Sequence, residues 1–377
     1  MKKLITHLII FLIIFFLFCA PNDIAYATTS TSARGMVLID ASTNRILYSH
    51  NELEQMPMAS TTKIVTAITV LENCNNLDEV VTITRPSTLI EGTSIYLKEG
   101  EQLSIRQLLY GLMLQSGNDA AHALALYVGG SIENFANMME QTAIKAGATN
   151  SSFTNPHGLD DSEHYTTAYD LALITSYALK NQDFKDIVST KKFIINAGEK
   201  TTARTLINKN RLLDSLVGCI GVKTGYTSKA GRCLVTACER DGVILVCVVL
   251  NCRPMFEESA AYIEKAFDEY ENVKILEEYS CVGEIEVIGG DKSKVNLYNQ
   301  KGCTMLLLAE EKSNINIEYD LPNVLEAPIS KNEVVGKVKI FYNNNLIFSE
   351  NIYTMEDVKV VNKSNKLQDI LDKWYGS

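Results

Sequence analysis

Two kinds of apolar pattern alternate along this chain. Gly35 to Asp40 and Arg45 to Tyr48 are short strand-like runs on either side of Ala41-Ser42-Thr43-Asn44, which predicts a hairpin. From Ile64 the apolar residues fall at Ile64, Val65, Ile68 and Leu71, the spacing of one helix face. Ser104 is placed to cap a second helix carrying Ile105, Leu108, Leu109 and Leu112. That helix breaks at Ser116-Gly117-Asn118, and an alanine-rich helix resumes from Asp119 to Val128. A further helix carries Phe135, Met138, Met139 and Ala146 and ends at Gly147. Thr167-Ala168-Tyr169-Asp170 has the form of a capping box opening another helix. Strand patterns then return at Cys219–Thr224, Cys233–Cys238 and Val243–Asn251, the last two joined across Arg240-Asp241-Gly242. A helix with Ala260, Ile263, Phe267 and Tyr270 follows. Strands at both ends with helices between predict an α+β fold: one mostly antiparallel sheet, its terminal hairpins adjacent, with helices on its faces.

The pattern changes after about Val273. Alternating segments run through Val282–Ile288, Lys294–Leu297, Thr304–Ala309, Asn314–Tyr319 and Gly336–Phe341, with a turn at Asn343-Asn344-Asn345. These predict a small all-β domain of roughly 85 residues, within the normal size of a domain. The expected organisation is a first domain over 28–273, a β-rich domain over 274–360 and a short amphipathic tail over 361–377.

The first residues bear on compartment. Lys2 and Lys3 precede an apolar run from Leu8 to Phe18, and Ala25-Tyr26-Ala27 offers a small-residue cleavage site. Residues 1–27 therefore read as a secretory signal peptide, the alternative being an uncleaved N-terminal anchor. The whole chain has a formal charge of −10, and without Lys2, Lys3 and Asp23 the balance is about −11. So acidic a chain lacks the basic footprint of a nucleic-acid binder. The eight cysteines beyond Cys19 permit disulfides in an exported protein. A chain of this length builds its own core, however, and no C-x-x-C occurs. Most of these cysteines therefore read as buried thiols, with room for one or two bridges.

Candidate chemistry begins at Ser60-Thr61-Thr62-Lys63. A serine hydroxyl needs a base to become a nucleophile. Residues three apart share a helix face, so the Lys63 amine can reach Ser60, and a lysine withdrawn from water can lose its charge and serve as that base. The pattern is short and recurs at Ser189-Thr190-Lys191-Lys192. Ser60 opens a helical pattern, where the helix dipole favours developing negative charge. Ser189 reads as a turn or strand entry.

Two further patterns accompany the first. Ser116-Gly117-Asn118 lies where two helices meet, exposing a hydroxyl that can relay protons and an amide that can hydrogen-bond another. Lys223-Thr224-Gly225 ends a strand with a charge, a hydroxyl and a glycine that admits close backbone approach. Singly each has an ordinary structural explanation. Together, in this order and on these elements, S-x-x-K, S-x-N and K-T-G resemble the signature set of the penicillin-recognising serine enzymes.

Within that group, Asn155-Pro156-His157-Gly158-Leu159, His164 to Asp170, Asn210-Arg211-Leu212-Leu213 and Lys223-Thr224-Gly225-Tyr226-Thr227 are similar to serine D-alanyl-D-alanine carboxypeptidases, the low-molecular-mass penicillin-binding proteins. The resemblance runs from about Ala33 to Val360. It implies a serine β-lactamase/D,D-peptidase-like domain followed by the small all-β domain, no cofactor and no metal. It also implies an extracytoplasmic cell-wall enzyme whose partners are peptidoglycan stem peptides ending in D-Ala-D-Ala and, as covalent inhibitors, β-lactams. The implied catalytic residues are Ser60 as nucleophile, Lys63 as base and Ser116 as proton relay. Asn118, Lys223, Thr224, Gly225 and Thr227 would bind substrate, and the backbone N–H groups of Ser60 and Tyr226 would form the oxyanion hole. Tyr226 stands where several relatives carry His, and Lys209 where some carry Arg. His157 and His164 lack the accompanying ligands of the metal-site motifs and read as structural.

Two rival readings follow from the same residues. A β-lactamase of this fold needs a group that activates water for deacylation, and no E-x-x-x-N pattern lies in the expected region. A non-catalytic wall-binding or β-lactam-sensing protein would have little use for an intact Ser60, Lys63, Ser116 and Lys223. In the tail, Leu367, Ile370, Leu371, Trp374 and Tyr375 form one apolar face, suited to peripheral membrane contact. The same face would serve equally for docking on the β domain.

Overall fold

The computed structural model describes residues 27–28 and 31–361. The anticipated signal segment up to Tyr26 and the apolar face of the tail lie outside the described residues. The first domain is built on an antiparallel hairpin, β1 (Gly35–Asp40) and β2 (Ile46–His50). Six helices of eight or more residues follow: α1 (Lys63–Asn73), α2 (Ile105–Leu114), α3 (Asn118–Gly129), α4 (Ile132–Lys145), α5 (Ala168–Ala178) and α6 (Gln182–Ser189). Strands β3 (Cys219–Thr227), β4 (Gly231–Arg240) and β5 (Val243–Leu250) then complete the sheet, and α7 (Met255–Glu269) closes the domain.

Strand β5 pairs antiparallel with β1, so the two ends of the domain meet in mid-sheet. The order across the sheet is Ala27–Thr28, β2, β1, β5, β4, β3, which leaves β3 at an edge. Alternation along the central strands divides the apolar side chains between two cores. Val37, Ile39, Val246 and Val248 face the cluster of α1 to α6. Met36, Leu38, Cys247 and Val249 face Tyr262, Ile263 and Ala266 of α7. Strands buried on both faces carry apolar residues at nearly every position, which explains the unbroken run Val243–Leu250.

Local signals set the element ends. Ser104 and Gln107 form a reciprocal capping box at the start of α2. Thr167 accepts from the Asp170 N–H at the start of α5. The β4–β5 turn places Asp241 and Gly242 at φ of 47° and 79°, the left-handed pair of a tight hairpin. The second S-x-x-K lies between a helix end and a strand entry, Lys192–Ile195, which pairs antiparallel with Arg204–Ile207. Ser189 itself is the last residue of α6, a helix capped by Asn181, and the strand begins three residues later at Lys192. Its hydroxyl donates to the carbonyl of Asp186, so the second S-x-x-K sits at a helix C-terminus with its serine turned back on its own helix. All eight cysteines among the described residues are free thiols.

After α7 the chain passes into strands β6 (Glu271–Leu276), β7 (Cys281–Ile288), β8 (Lys294–Asn299), β9 (Cys303–Leu307), β10 (Ile315–Asp320), β11 (Val324–Glu326), β12 (Val334–Tyr342) and β13 (Asn345–Thr354). Six of them form one sheet, β10-β12-β13-β8-β7-β11, and β6 pairs with β9. Its core is separate: Ile285, Val295, Leu297, Val338, Ile340 and Ile352. Arg45 of the first domain reaches across to it. The guanidinium donates to the carbonyl of Leu306 and to Glu311, bonds the Tyr342 hydroxyl at 3.2 Å and lies 4.6 Å from the Tyr342 ring centre.

Candidate active site

Met58 to Lys63 carries the centre of the site. Ala59 has φ 50° in a single turn of 3₁₀ helix that leads into α1. A non-glycine residue in this region costs about 1–2 kcal/mol. Surrounding contacts hold it there. Thr62 Oγ1 donates to the carbonyl of Ala59 at 2.9 Å and lies 2.8 Å from Nε2 of His164. The Thr154 N–H donates to His164 Nδ1 at 3.0 Å, so the ring proton is on Nε2 and points at Thr62. Burial pushes His164 down to about 4, which keeps it neutral for this role.

Lys63 is fully buried, and its Nζ meets three acceptors. These are Ser60 Oγ at 3.0 Å, Asn118 Oδ1 at 2.8 Å and the carbonyl of His157 at 2.6 Å. None carries a negative charge. Burial therefore drives the Lys63 pKa well below its usual value, helped by the charges of Lys223 and Lys209 and opposed by Asp119. A lysine in this state can exchange a proton with the hydroxyl beside it.

The S-x-N residues occupy the junction of α2 and α3. Ser116 has φ 64°, and its buried hydroxyl makes no hydrogen bond within the described protein. Asn118 is engaged at both ends of its amide, since Nδ2 donates to the carbonyl of Glu91 at 2.7 Å while Oδ1 takes Lys63. The next residue, Asp119, accepts from the N–H groups of Ile95 and Leu97 and from the Ser94 hydroxyl. Ser116 to Asp119 thus fix both the lysine and the loop over 91–97.

Strand β3 closes the other side. A Cβ on Gly225 would lie 3.0 Å from the carbonyl O of Met58 and 3.1 Å from the N of Ser60, so glycine is what allows the strand against the Ser60 turn. Lys223, two residues earlier, shares the face of Gly225 by strand alternation. It is fully buried and donates to the carbonyl of Thr224 at 2.9 Å. Burial, with the nearby charge of Lys209, pushes it down to about 7.

Thr227 donates its only hydroxyl hydrogen to Asp160 Oδ1 at 2.8 Å and accepts from the Ala230 N–H. Through these two bonds Thr227 ties the loop at Asp160 to the strand.

The third wall is Asn155 to Leu159, quoted from sequence only as part of a pattern. Its carbonyls do the bonding: Pro156 accepts from Thr66 at 2.7 Å and His157 from Lys63. Gly158 has φ 85°, and a Cβ there would fall 1.9 Å from the carbonyl O of Ala59. Asn155 Oδ1 accepts from the Gly158 N–H at 2.8 Å and holds the turn. Backbone acceptors leave no residue-type signature, which is why sequence did not reveal the third partner of Lys63. Lys209, which none of the three patterns contains, acts through its charge on both buried lysines. His157, held down at about 3 by burial and Lys63, and His164 are committed to this packing. Among the described residues no group of three His, Cys, Asp or Glu side chains could hold a metal.

Residues 22–253 match the family model described as D-alanyl-D-alanine carboxypeptidase, peptidase S11, and residues 270–360 match that of the penicillin-binding protein 5 C-terminal domain. This chain belongs to the S11 D-alanyl-D-alanine carboxypeptidases. Among its relatives are D-alanyl-D-alanine carboxypeptidase DacC of Escherichia coli, 32% identical over 96% of this chain and 95% of the relative, and DacF of Bacillus subtilis, 27% identical over 99% of each. Penicillin-binding protein 5 from Haemophilus influenzae superposes with a TM-score of 0.73 at 29% identity, covering 89% of this chain and 100% of that one. The Streptomyces K15 DD-transpeptidase covers 63% of this carboxypeptidase and 98% of its own chain, at 34% identity and a TM-score of 0.60. This is a serine-type D-Ala-D-Ala carboxypeptidase with an all-β C-terminal domain.

Proposed function

We propose that this carboxypeptidase removes the terminal D-alanine from peptidoglycan stem pentapeptides through an acyl-enzyme on Ser60. The observation that carries the mechanism is the Lys63 Nζ, 3.0 Å from Ser60 Oγ and withdrawn from water among neutral acceptors. Ser60 Oγ attacks the carbonyl carbon of the penultimate D-alanine, and its proton passes to neutral Lys63. The Ser60 and Tyr226 N–H groups hold the oxyanion; one such donor is worth about 3–4 kcal/mol in other enzymes. The C–N bond then breaks, with Ser116 relaying a proton to the departing amine. Water releases the acyl group and restores Ser60.

Lys223 and Thr224 bind the terminal carboxylate, since a buried cation beside a hydroxyl makes charge-assisted hydrogen bonds to it. Because β3 is the sheet edge, the substrate backbone can pair with it as an added strand. Asn118, bonded at both ends, acts chiefly by positioning Lys63. Export to the outer face of the cytoplasmic membrane follows from the charged, apolar and small-residue order of the first 27 residues. A peripheral anchor would use the apolar face of the tail.

The same site supports acylation of Ser60 by β-lactams. Among the described residues no carboxylate hydrogen-bonds Ser60 or Lys63, so nothing of the class A type activates a water there. That favours a target of penicillin over an enzyme that destroys it. The deciding assay is D-alanine release from an acyl-D-Ala-D-Ala peptide: present in the wild type and lost in Ser60→Ala. Undiminished release from Ser60→Ala would sink the mechanism, and no release from the wild type would favour a non-catalytic wall-binding protein.

A further inference from the structure

The clamp fixes the direction in which a substrate crosses β3. With the terminal carboxylate at Lys223 and Thr224 and the scissile carbonyl at Ser60 beside Gly225, the rest of the stem peptide runs toward Tyr226 and beyond. Each extended residue advances it by about 3.3 Å. At that end, on the α7 face of the sheet, which alternate side chains of a strand added to β3 can reach, lies a cleft of about 950 Å³, lined by Tyr226, Ser228, Arg211, Arg232, Arg253 and Glu257 among others.

The charge there opposes that of the molecule. The chain is at −10 overall, yet this cleft gathers three arginines against one glutamate. Arg211 is satisfied, since it pairs with Glu257 and lies 4.4 Å from the Phe256 ring centre. Arg232 and Arg253 have no carboxylate partner among the described residues. The guanidinium of Arg232 instead lies 5.8 Å from the ring centre of Tyr226, which is largely exposed. Aromatic contact restricts a long side chain and leaves its planar donors free for an anion. Glu257 is already engaged by Arg211, so the two unpaired guanidiniums set the sign of the cleft.

We infer that this cleft is a specificity subsite for a free side-chain carboxylate on the stem-peptide residue immediately before the D-alanine pair, bound by Arg232 and Arg253. The inference rests on the carboxypeptidase reading of Ser60. It names a chemical class: peptides whose third residue is a diamino diacid, such as diaminopimelate, over peptides with lysine there, which lacks that carboxylate and is otherwise close in shape. Both arginines are exposed, so water screens the contact and the preference is modest and salt-sensitive.

The test compares D-alanine release from an acyl-diaminopimelyl-D-Ala-D-Ala peptide and its lysyl counterpart on the full-length enzyme. The diacid peptide should be favoured about tenfold in kcat/KM at low salt, the scale of one or two exposed charge-assisted bonds. That ratio should fall toward one in R232Q/R253Q and with rising salt, while Arg253→Lys should retain part of it. A wild-type ratio of one, or a ratio that R232Q/R253Q leaves intact, would overturn the subsite. Release from neither peptide would instead indict the carboxypeptidase reading, so the two failures are separable.

Discussion

Lys63 donates to Asn118 Oδ1 at 2.8 Å, and through this bond the S-x-N turn holds the lysine against Ser60. The acceptor is an uncharged amide, which positions the lysine without stabilising its charge. Asn118→Asp would put a carboxylate at the same place and raise the Lys63 pKa. Acylation of Ser60 by a fluorescent penicillin should fall by about 100-fold at neutral pH, the scale of a misplaced protonation state at a general base. Because Lys63 must be neutral to act, the rate should recover as pH rises. A variant whose pH profile matches the wild type would mean that Asn118 acts on the substrate and not on Lys63.

Lys223, pushed down to about 7, ties substrate binding to pH in the opposite sense. In the proposed mechanism it binds a carboxylate when charged, so kcat/KM should decline as pH rises through about 7, while the acid side declines as Lys63 takes up a proton. Lys209 repels both lysines. Lys209→Ala should raise both pKa values and carry the whole activity window to higher pH. The shift should stay below about 1 pH unit, because Lys209 is exposed and water screens it. Steady-state profiles on a D-Ala-D-Ala peptide report the two limbs, and a window that narrows instead of moving would refute the shared repulsion.

The same burial makes Lys223 a cost to folding. Its folded pKa lies below the unfolded value, so below about 7 the native state must hold a buried charge that the unfolded chain solvates freely. Stability should therefore rise with pH from 7 toward the unfolded lysine value. Lys223→Met should raise the melting temperature at neutral pH while abolishing D-alanine release. Calorimetry of the variant at pH 6 and pH 9 checks the sign, with the larger gain expected at pH 6.

Gly225 separates strand from nucleophile turn by less than a methyl group. In Gly225→Ala the new Cβ would meet backbone at Met58 and Ser60, at 3.0 and 3.1 Å, and backbone yields less than a side chain end. The strand must move outward, and a shift of a few tenths of an ångström to 1 Å in a catalytic constellation costs about 100-fold. Deacylation and acylation should both slow, with melting temperature nearly unchanged. Gly158→Ala should behave differently and lose stability first, because its Cβ would sit 1.9 Å from the carbonyl of Ala59 at a φ of 85°.

Arg45 joins the two domains. Arg45→Ala would leave Glu311, mostly buried, with only the Tyr342 hydroxyl as side-chain partner. Breaking such a pair should cost about 2–4 kcal/mol. Unfolding should split into two transitions by calorimetry, while penicillin acylation stays within about twofold of wild type, since Arg45 lies on the domain junction. A single unshifted transition would show that the contact is dispensable.

Sequence by itself determined the order of elements, the caps at Ser104 and Thr167, the hairpin turn at Asp241-Gly242, and the three patterns that carry the chemistry. These are local properties: a 3.6-residue or 2-residue apolar period, a side chain that bonds its own backbone, a glycine or aspartate that accepts positive φ. It also placed Ser60 at a helix start. At Ser189 the local pattern gave the strand entry that follows at Lys192 but not the short helix, capped by Asn181, that ends there. Only the tertiary structure decided what surrounds Lys63. Of its three acceptors one is a neighbour in sequence, one is an amide 55 residues away and one is a backbone carbonyl 94 residues away. Their neutrality and the exclusion of water set the lysine's charge, and no residue type encodes either. The same holds for the Thr227 hydroxyl, whose partner Asp160 lies 67 residues away in sequence. A pattern names which groups are present; burial and long-range partners decide which of them are free to react.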